Sequence, residues 1–497
     1  MAIGTQSKPM RWSAGPLDIA RRQKEKDFTP EIAGVLRQWL DPALLASLQG
    51  TPVNCLVVSW ASGLPADAEQ QQALQPLLER GRQAGLDFVG LIDGSADKTA
   101  ALAAARAAGL SAVAMEAVPP GNAGIPVIAW AKSGAALWGA NSPILGMSDG
   151  LWPSVPIEKT PTGGPTNLPW VDSNGALLAM SQALAPNKPV WIVADPPRQA
   201  KLTVENYLLA VADTEAYGGQ WVISLDDQMR AGLAAKTPQA AGDWKKITDA
   251  LAFFEKNKAV RTYERMGRLA VMSSFSEPDR YFGEDALNLL PRLREPFRVI
   301  ASAQGLAASL NGLQGILYVD QEPPEAKLRQ KLIAFVKGGG TLFVRSTWPN
   351  PEGTPRQLSS EEAYLLFNVR SLGKGRLAVA KEEKPDTYFT CMDVQNILSH
   401  RGDPARLYNG ASMNYFYQAA PQGRQGVIHV LNYSRRAGGD NALIYLKTPY
   451  RSARFVSPEI ASPVALQWAP QTSAYGIGGS ELTLPRISVY GAVQMEA

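Results

Sequence analysis

Histidine and cysteine are nearly absent from this chain of 497 residues, with two of each. Both histidines, His400 and His429, lie late in the chain. A His-ligated zinc site or a Ser-His-Asp triad in the first half is excluded, because both need an imidazole there. Carboxylates must therefore carry most of any acid–base work. Cys55 and Cys391 lie far apart, in runs that read as strands (VNCLVV and YFTCMDV), and are expected as buried free thiols. No apolar run approaches the roughly 20 residues that span a bilayer. The opening MAIGTQSKPMRW lacks the apolar core of a signal peptide. That leaves a cytoplasmic protein, or one whose export signal has been removed, and two cysteines are compatible with both. The formal charge of +4 comes from scattered Lys and Arg. No basic stripe is interleaved with aromatics, so nucleic acid is not an expected partner. There is no internal repeat and no low-complexity linker.

A chain of this length is too long for one core and implies two to four domains. Before residue 230, short apolar runs recur eight times: PMRWSA (9–14), VNCLVVSW (53–60), LDFVGLID (86–93), LSAVAMEA (110–117), IPVIAWA (125–131), PILGMS (143–148), KPVWIVAD (188–195) and QWVISLDD (220–227). Continuous β-branched and aromatic runs of this kind are the mark of buried parallel strands. Helical segments precede several of them, among them PADAEQQQALQPLLERGRQAG, DKTAALAAARAAG, NGALLAMSQALAP and VENYLLAVADTEAYGG. Alternation of this kind predicts an α/β fold, a (β/α)8 TIM barrel. Its middle is irregular, because strands four to six are joined by segments too short for full crossover helices.

A charged helix, DWKKITDALAFFEKNKAVRTYERM, closes that region. A second α/β unit follows, from RLAVMSSFS to TLFVRS, and reads as a small Rossmann-like doubly wound sheet. Its Gly338 to Gly340 follow a helix and precede a strand, which is a helix C-cap and not a phosphate loop. From about residue 375, short alternating runs with Pro- and Gly-rich turns predict an antiparallel β-sandwich. The expected domains are thus 1–265, 266–374 and 375–497.

Barrel, small Rossmann-like unit and terminal β-sandwich together resemble the three-domain plan of the β-galactosidases of glycoside hydrolase family 42. PEAKLRQKLIAFVKGGGTLFV resembles that family's amidotransferase-like middle domain, and LTLPRISVYGAVQM the last strands of glycosidase accessory sandwiches. The resemblance implies a homo-oligomer formed through the middle domain. It also implies an acid/base Glu at the end of barrel strand four and a carboxylate nucleophile at the end of strand seven. In this sequence those places hold Glu116 and Asp195, with Met115 where the wider clan has Asn.

Glycoside hydrolysis needs one protonated and one ionised carboxyl group across the scissile bond. Glu116, in the apolar run AVAMEAV, is the candidate acid, since desolvation would favour its protonated form. Asp195 is the candidate nucleophile or base. Asp149, Asp226 and Asp227 are rivals at neighbouring strand ends. Each could equally cap a helix or pair with an arginine such as Arg198. Asp93, in an Asp-Gly turn, is a candidate for binding substrate.

Ten of the twelve tryptophans lie in the first half. Trp60, Trp130, Trp152 and Trp170 fall near strand ends or in a long loop, where their faces could stack on sugar rings. Packing beneath loops explains each of them equally. The Pro- and Gly-rich loop from Gly150 to Gly175 offers Asp172, Ser173 and Asn174 to sugar hydroxyls, although Asp172 or Ser173 could instead cap the next helix. The sequence therefore points to a carbohydrate-active enzyme acting on an oligo- or polysaccharide, without cofactor, metal or membrane span. Its rival is a non-catalytic carbohydrate-binding or scaffold protein on a degenerate barrel.

Overall fold

The computed structural model describes residues 3–4, 6–119, 123–154, 171–197, 202–357, 364–410, 412–435, 442–448, 450–470 and 478–497. They fall into two compact units: residues 1–152 with 185–257, and residues 153–184 with 258–497.

The first unit is a parallel barrel. Its strands are β1 (Pro9–Arg11), β2 (Cys55–Ala61), β3 (Asp87–Ile92), β4 (Ala112–Met115), β5 (Val127–Ala131), β6 (Leu145–Met147), β7 (Val190–Ile192), β8 (Gln220–Trp221) and β9 (Ile223–Ser224). Each strand from β1 to β8 pairs in parallel with the next, while β9 pairs with β1. β8 and β9 are one strand interrupted at Val222, and its two halves bring the sheet round on itself. All eight expected runs contain a strand.

Side chains alternate across a strand, and here one face of that alternation fills the barrel. Cys55, Val57, Val89, Ala112, Ala114, Ile128, Trp130, Trp191 and Val222 form one buried cluster. Burying an aliphatic side chain of this kind contributes about 1.5–3 kcal/mol. The other face meets the helices α1 (Pro16–Lys24), α3 (Asp67–Gln83), α4 (Lys98–Ala107), α5 (Ala135–Trp138) and α7 (Val204–Ala216), while α2 (Pro30–Gln38), α8 (Asp227–Ala234) and α9 (Pro238–Lys256) pack against neighbouring helices. The intervening α6 (Gly175–Leu184) belongs to the second unit. Several helix starts are written locally. Asp97 accepts from the Thr99 and Ala100 amides to cap α4, and Asp226 accepts from the Met229 amide to cap α8. The middle is irregular, as expected: among the described residues no helix joins β4 to β5, and α5 is a single turn.

In the second unit, five parallel strands lie in the spatial order Phe297–Ala301, Leu269–Ser273, Gly315–Tyr318, Thr341–Val344, Gly375–Ala380, with Phe367–Leu372 and Thr354–Pro355 added antiparallel. Gly375–Ala380, read from sequence as the first sandwich run, is thus the fifth strand of the parallel sheet. Cys391, expected in a strand, is buried on the helix Thr387–Leu398. The Asp386 side chain starts that helix by accepting from the Phe389 amide.

Two antiparallel sheets, of six and four strands, enclose a common core that includes Leu407, Tyr415, Val430, Ile444, Phe455 and Leu482. This is the β-sandwich. Glu264–Met266 belongs to it, paired with Met413–Ala419. Among the described residues no helix is long and apolar enough to cross a membrane.

Candidate active site at the barrel mouth

The carboxyl ends of the barrel strands carry a charged network that begins at Arg11, the last residue of β1. Its guanidinium is buried. Nη2 donates to Ser59 Oγ on β2 at 2.6 Å and lies 3.5 Å from Asp18 Oδ1. Ser59 Oγ donates to the same Asp18 oxygen at 2.8 Å, and the Ala14 amide donates to the other at 2.8 Å. Arg21 Nη2, one turn along α1, is 3.5 Å from Asp18.

Gln70, fully buried on α3, holds this corner by donating to the Ala14 and Ser59 carbonyls and accepting from the Leu17 amide. The chain turns there at Gly15, whose φ of +86° suits glycine, and a Cβ on it would meet Gln70 Oε1 at 2.5 Å. Arg11 Nη1 and Arg21 Nε have no hydrogen-bond partner.

Asp93 and Asp195 lie just beyond β3 and β7, and both act electrostatically on Arg11 and Arg21. Through the closure at β8 and β9, β3 and β7 each stand two strands from β1, one on either side. The mouth raises the Asp93 carboxyl above its ordinary pKa, mainly by desolvation, while attraction to Arg11 and Arg21 acts the other way. Its surface is nonetheless exposed.

Glu116 is the first residue after β4 and is exposed. The burial expected from its apolar run is absent, because that run ends at Met115. Its Oε2 lies 3.8 Å from where a Cβ on Gly94 would stand, so the carboxyl leans toward the Asp93–Gly94 turn. Asp195 is also exposed. Its backbone carbonyl accepts from Trp152 Nε1 at 2.9 Å. Trp152 is half-buried and packs edge-on against Tyr207 and Trp221, each at 5.2 Å.

The other acids are tied into the fold. Asp149 accepts from both the amide and the hydroxyl of Ser133, which braces the turns after β5 and β6. Both oxygens of Asp227 lie 3.0 Å from Arg22 Nη2, and Oδ1 accepts from Arg230 at 2.7 Å. Asp226 is the α8 cap. Asp226 thus caps a helix and Asp227 pairs with arginines, the two structural roles open to them, whereas Asp149 does neither and is held by Ser133.

The tryptophans need similar correction. Trp60 has the outward parity of β2, is buried, and donates to the Ala101 carbonyl of α4, so it has no face to offer a sugar. Trp130 belongs to the barrel's inner cluster, its ring lying where a Gly146 side chain would be. Eight of the nine described tryptophans in the first half are buried, and Trp152 is the exception. Trp170, like Arg198, lies outside the described residues.

Asp172 and Asn174 belong to the second unit and not to the barrel's own. Asp172 pairs with Ser154. Asn174 is fully buried, so it cannot meet a ligand at the surface, and its carbonyl accepts the first α6 bond from the Leu178 amide. Ser173 accepts from the Gly175 amide and from Tyr433.

Sequence reasoning missed Arg11, Asp18, Ser59, Arg21 and Gln70. The signal was an arginine inside the apolar run PMRWSA. Among the described residues, Glu295, His400 and Asp403 are grouped closely enough to hold a metal. Arg268 already makes two 2.9 Å bonds to Glu295 and lies 2.9 Å from Asp403. A guanidinium therefore supplies the positive charge these acids require.

No protein-family model matches the chain, and no curated protein matches it in sequence. Its fold is similar to that of α-L-fucosidase isoenzyme 2 from Paenibacillus thiaminolyticus, at 11% identity and a TM-score of 0.57, covering 99% of this chain and 100% of that one. An exo-β-1,4-mannosidase from Opitutaceae bacterium strain TAV5 matches at 12% identity and a TM-score of 0.46, over 78% of this chain and 94% of that one. A β-galactosidase from Bacillus circulans sp. alkalophilus matches at 10% and 0.42, over 87% and 68%. The chain is a (β/α)8-barrel protein with an appended parallel α/β sheet and a β-sandwich.

Proposed function

We propose that the chain is a glycoside hydrolase working at the barrel mouth, with Glu116 as proton donor and Asp195 as nucleophile or base. One observation carries this assignment. Of the rim acids at the ends of β4, β6, β7 and β9, Asp149, Asp226 and Asp227 are held by fold partners, whereas Glu116 and Asp195 are exposed on strand ends.

In the reaction Glu116 gives its proton to the glycosidic oxygen as the C–O bond breaks. Asp195 either attacks the anomeric carbon or takes a proton from the water that does. Asp93, exposed at the same mouth, orients hydroxyls, and Trp152 fixes the Asp195 backbone. The fold shared with a fucosidase agrees with a sugar substrate, as analogy only. Hydrolysis of a panel of nitrophenyl fucosides, galactosides and mannosides tests the proposal. Turnover of at least one, lost in Asp195→Asn at unchanged melting temperature, is expected.

A second possibility, a carbohydrate-binding barrel without turnover, is favoured by the abbreviated β4–β6 region and by Met115. Saturable glycan binding with no hydrolysis of any substrate would put it first.

A further inference from the structure

In the second unit the strand order reverses between Leu269–Ser273 and Gly315–Tyr318. The first connection runs outward to Phe297–Ala301, and the later strands fill the other side. At such a reversal the flanking connections leave in opposite directions, and open α/β sheets bind ligands in the crevice beyond the strands' carboxyl ends. This chain places Ser273, Ser302, Asp279, Asp320 and Arg345 there, each at or within two residues of the end of a parallel strand or at the start of the helix Arg280–Arg292.

Asp320 is buried and fully engaged. It accepts from Ser273 Oγ at 2.5 Å, Ser302 Oγ at 3.1 Å and the Ser274 amide at 2.9 Å. Asp279 and Arg345, each 6% exposed, are not. Asp279 Oδ2 accepts from the Gln321 amide at 3.0 Å, but Oδ1 has no partner. Arg345 stacks on the Phe282 ring at 4.4 Å and donates from Nη2 to the Glu383 carbonyl at 2.6 Å, while Nε and Nη1 have no partner. The two residues attract each other electrostatically yet share no hydrogen bond. A buried donor set and a buried acceptor that attract each other thus both stand unmet at the carboxyl edge of one sheet, an arrangement proteins rarely keep without a bridging group.

We propose that this crevice binds a small, uncharged, hydroxyl-rich molecule of monosaccharide size, bridging Asp279 Oδ1 and Arg345. Two carboxylates against one guanidinium leave a local excess of negative charge, which disfavours an anion. A metal ion would find one free carboxylate oxygen, because those of Asp320 are spent, and it would face a cation. A hydroxyl group both donates and accepts, which is what Asp279 and Arg345 together require. The lip suits a sugar as well. Ser274 and Ser276 are exposed with their hydroxyls 2.7 Å apart, and Tyr281, two residues beyond Asp279, is 76% exposed. An aromatic face open to solvent is a platform for the C–H face of a sugar ring. The site does not depend on what the barrel does.

Calorimetric titration of the full chain with D-galactose, D-mannose and L-fucose tests the proposal. Saturable binding of at least one sugar is expected in the wild type, and it should persist in the Glu116→Gln, Asp195→Asn double variant. Asp279→Asn and Arg345→Met should weaken it tenfold or more. Tyr281→Ala should weaken it several-fold and, lying at the surface, keeps the test open if the buried variants do not fold. No saturable binding of any of the three, or binding that all three substitutions leave unchanged, overturns the proposal. So does a crystal soaked in the sugar that shows only a water between Asp279 and Arg345.

Discussion

The indole N–H of Trp152 donates to the backbone carbonyl of Asp195 at 2.9 Å, so an aromatic beyond β6 fixes the main chain that carries a candidate catalytic carboxylate beyond β7. Trp152→Phe keeps the packing on Tyr207 and Trp221 and removes this hydrogen bond. A misplacement of about 1 Å can cost on the order of 100-fold in rate. The variant should therefore lose kcat by about tenfold or more with little change in KM, and its melting temperature should move far less than its activity.

The Arg11–Ser59–Asp18 network is buried, and removing one partner of a buried ion pair typically costs about 3–5 kcal/mol, because the other charge is left unmet. Asp18→Ala should therefore destabilise the barrel by roughly that amount in urea unfolding. Arg11→Met should cost less, since it removes the cation that already has an unpaired nitrogen.

Asp227, bound by Arg22 and Arg230, should behave as a structural residue. Hydrogen bonds to charged groups are worth about 1.5–3 kcal/mol. Asp227→Asn should lower stability by about that much while the folded enzyme keeps its kcat. Loss of activity in a fully folded variant would return Asp227 to the list of catalytic acids.

His429 is buried in the sandwich, stacked on Phe416, and its ring nitrogens meet Tyr490 and Gln418. Burial holds its pKa down at about 3, with Arg265 adding to the effect. The unfolded chain takes up a proton as pH falls below about 6.5, whereas the folded chain does not until about 3. Stability from this residue is therefore present above pH 6.5 and is lost as pH falls toward 3. His429→Gln should flatten the dependence of melting temperature on pH across that window.

Strand positions were legible in the sequence because a buried parallel strand writes itself as an unbroken apolar run. All eight runs were visible, and with them the carboxyl ends where Glu116 and Asp195 stand. The state of each rim acid was not legible, because its partner is remote. Arg22 meets Asp227 across 205 positions, and no local pattern announces that contact. Trp60 and Trp130 were placed near the rim, but the period-2 parity of β2 and β5 sends one to the helices and the other into the barrel. Gly375–Ala380 alternates as a sandwich strand would, and only its pairing with Thr341–Val344 assigns it to the parallel sheet. The helix holding Cys391 carried a readable signal in its Asp386 cap, which the strand-like run YFTCMDV obscured.

The most direct test of the two-carboxylate mouth compares Glu116→Gln with wild type on two glycosides of the same sugar, one with a dinitrophenyl and one with an alkyl leaving group. A general acid matters only where the leaving group needs its proton. Glu116→Gln should therefore lose kcat/KM on the alkyl glycoside by about 100-fold or more, retain most of it on the dinitrophenyl glycoside, and lose the basic limb of its pH profile. Equal losses on both substrates, or no loss on either, would contradict the assignment of Glu116 as the proton donor.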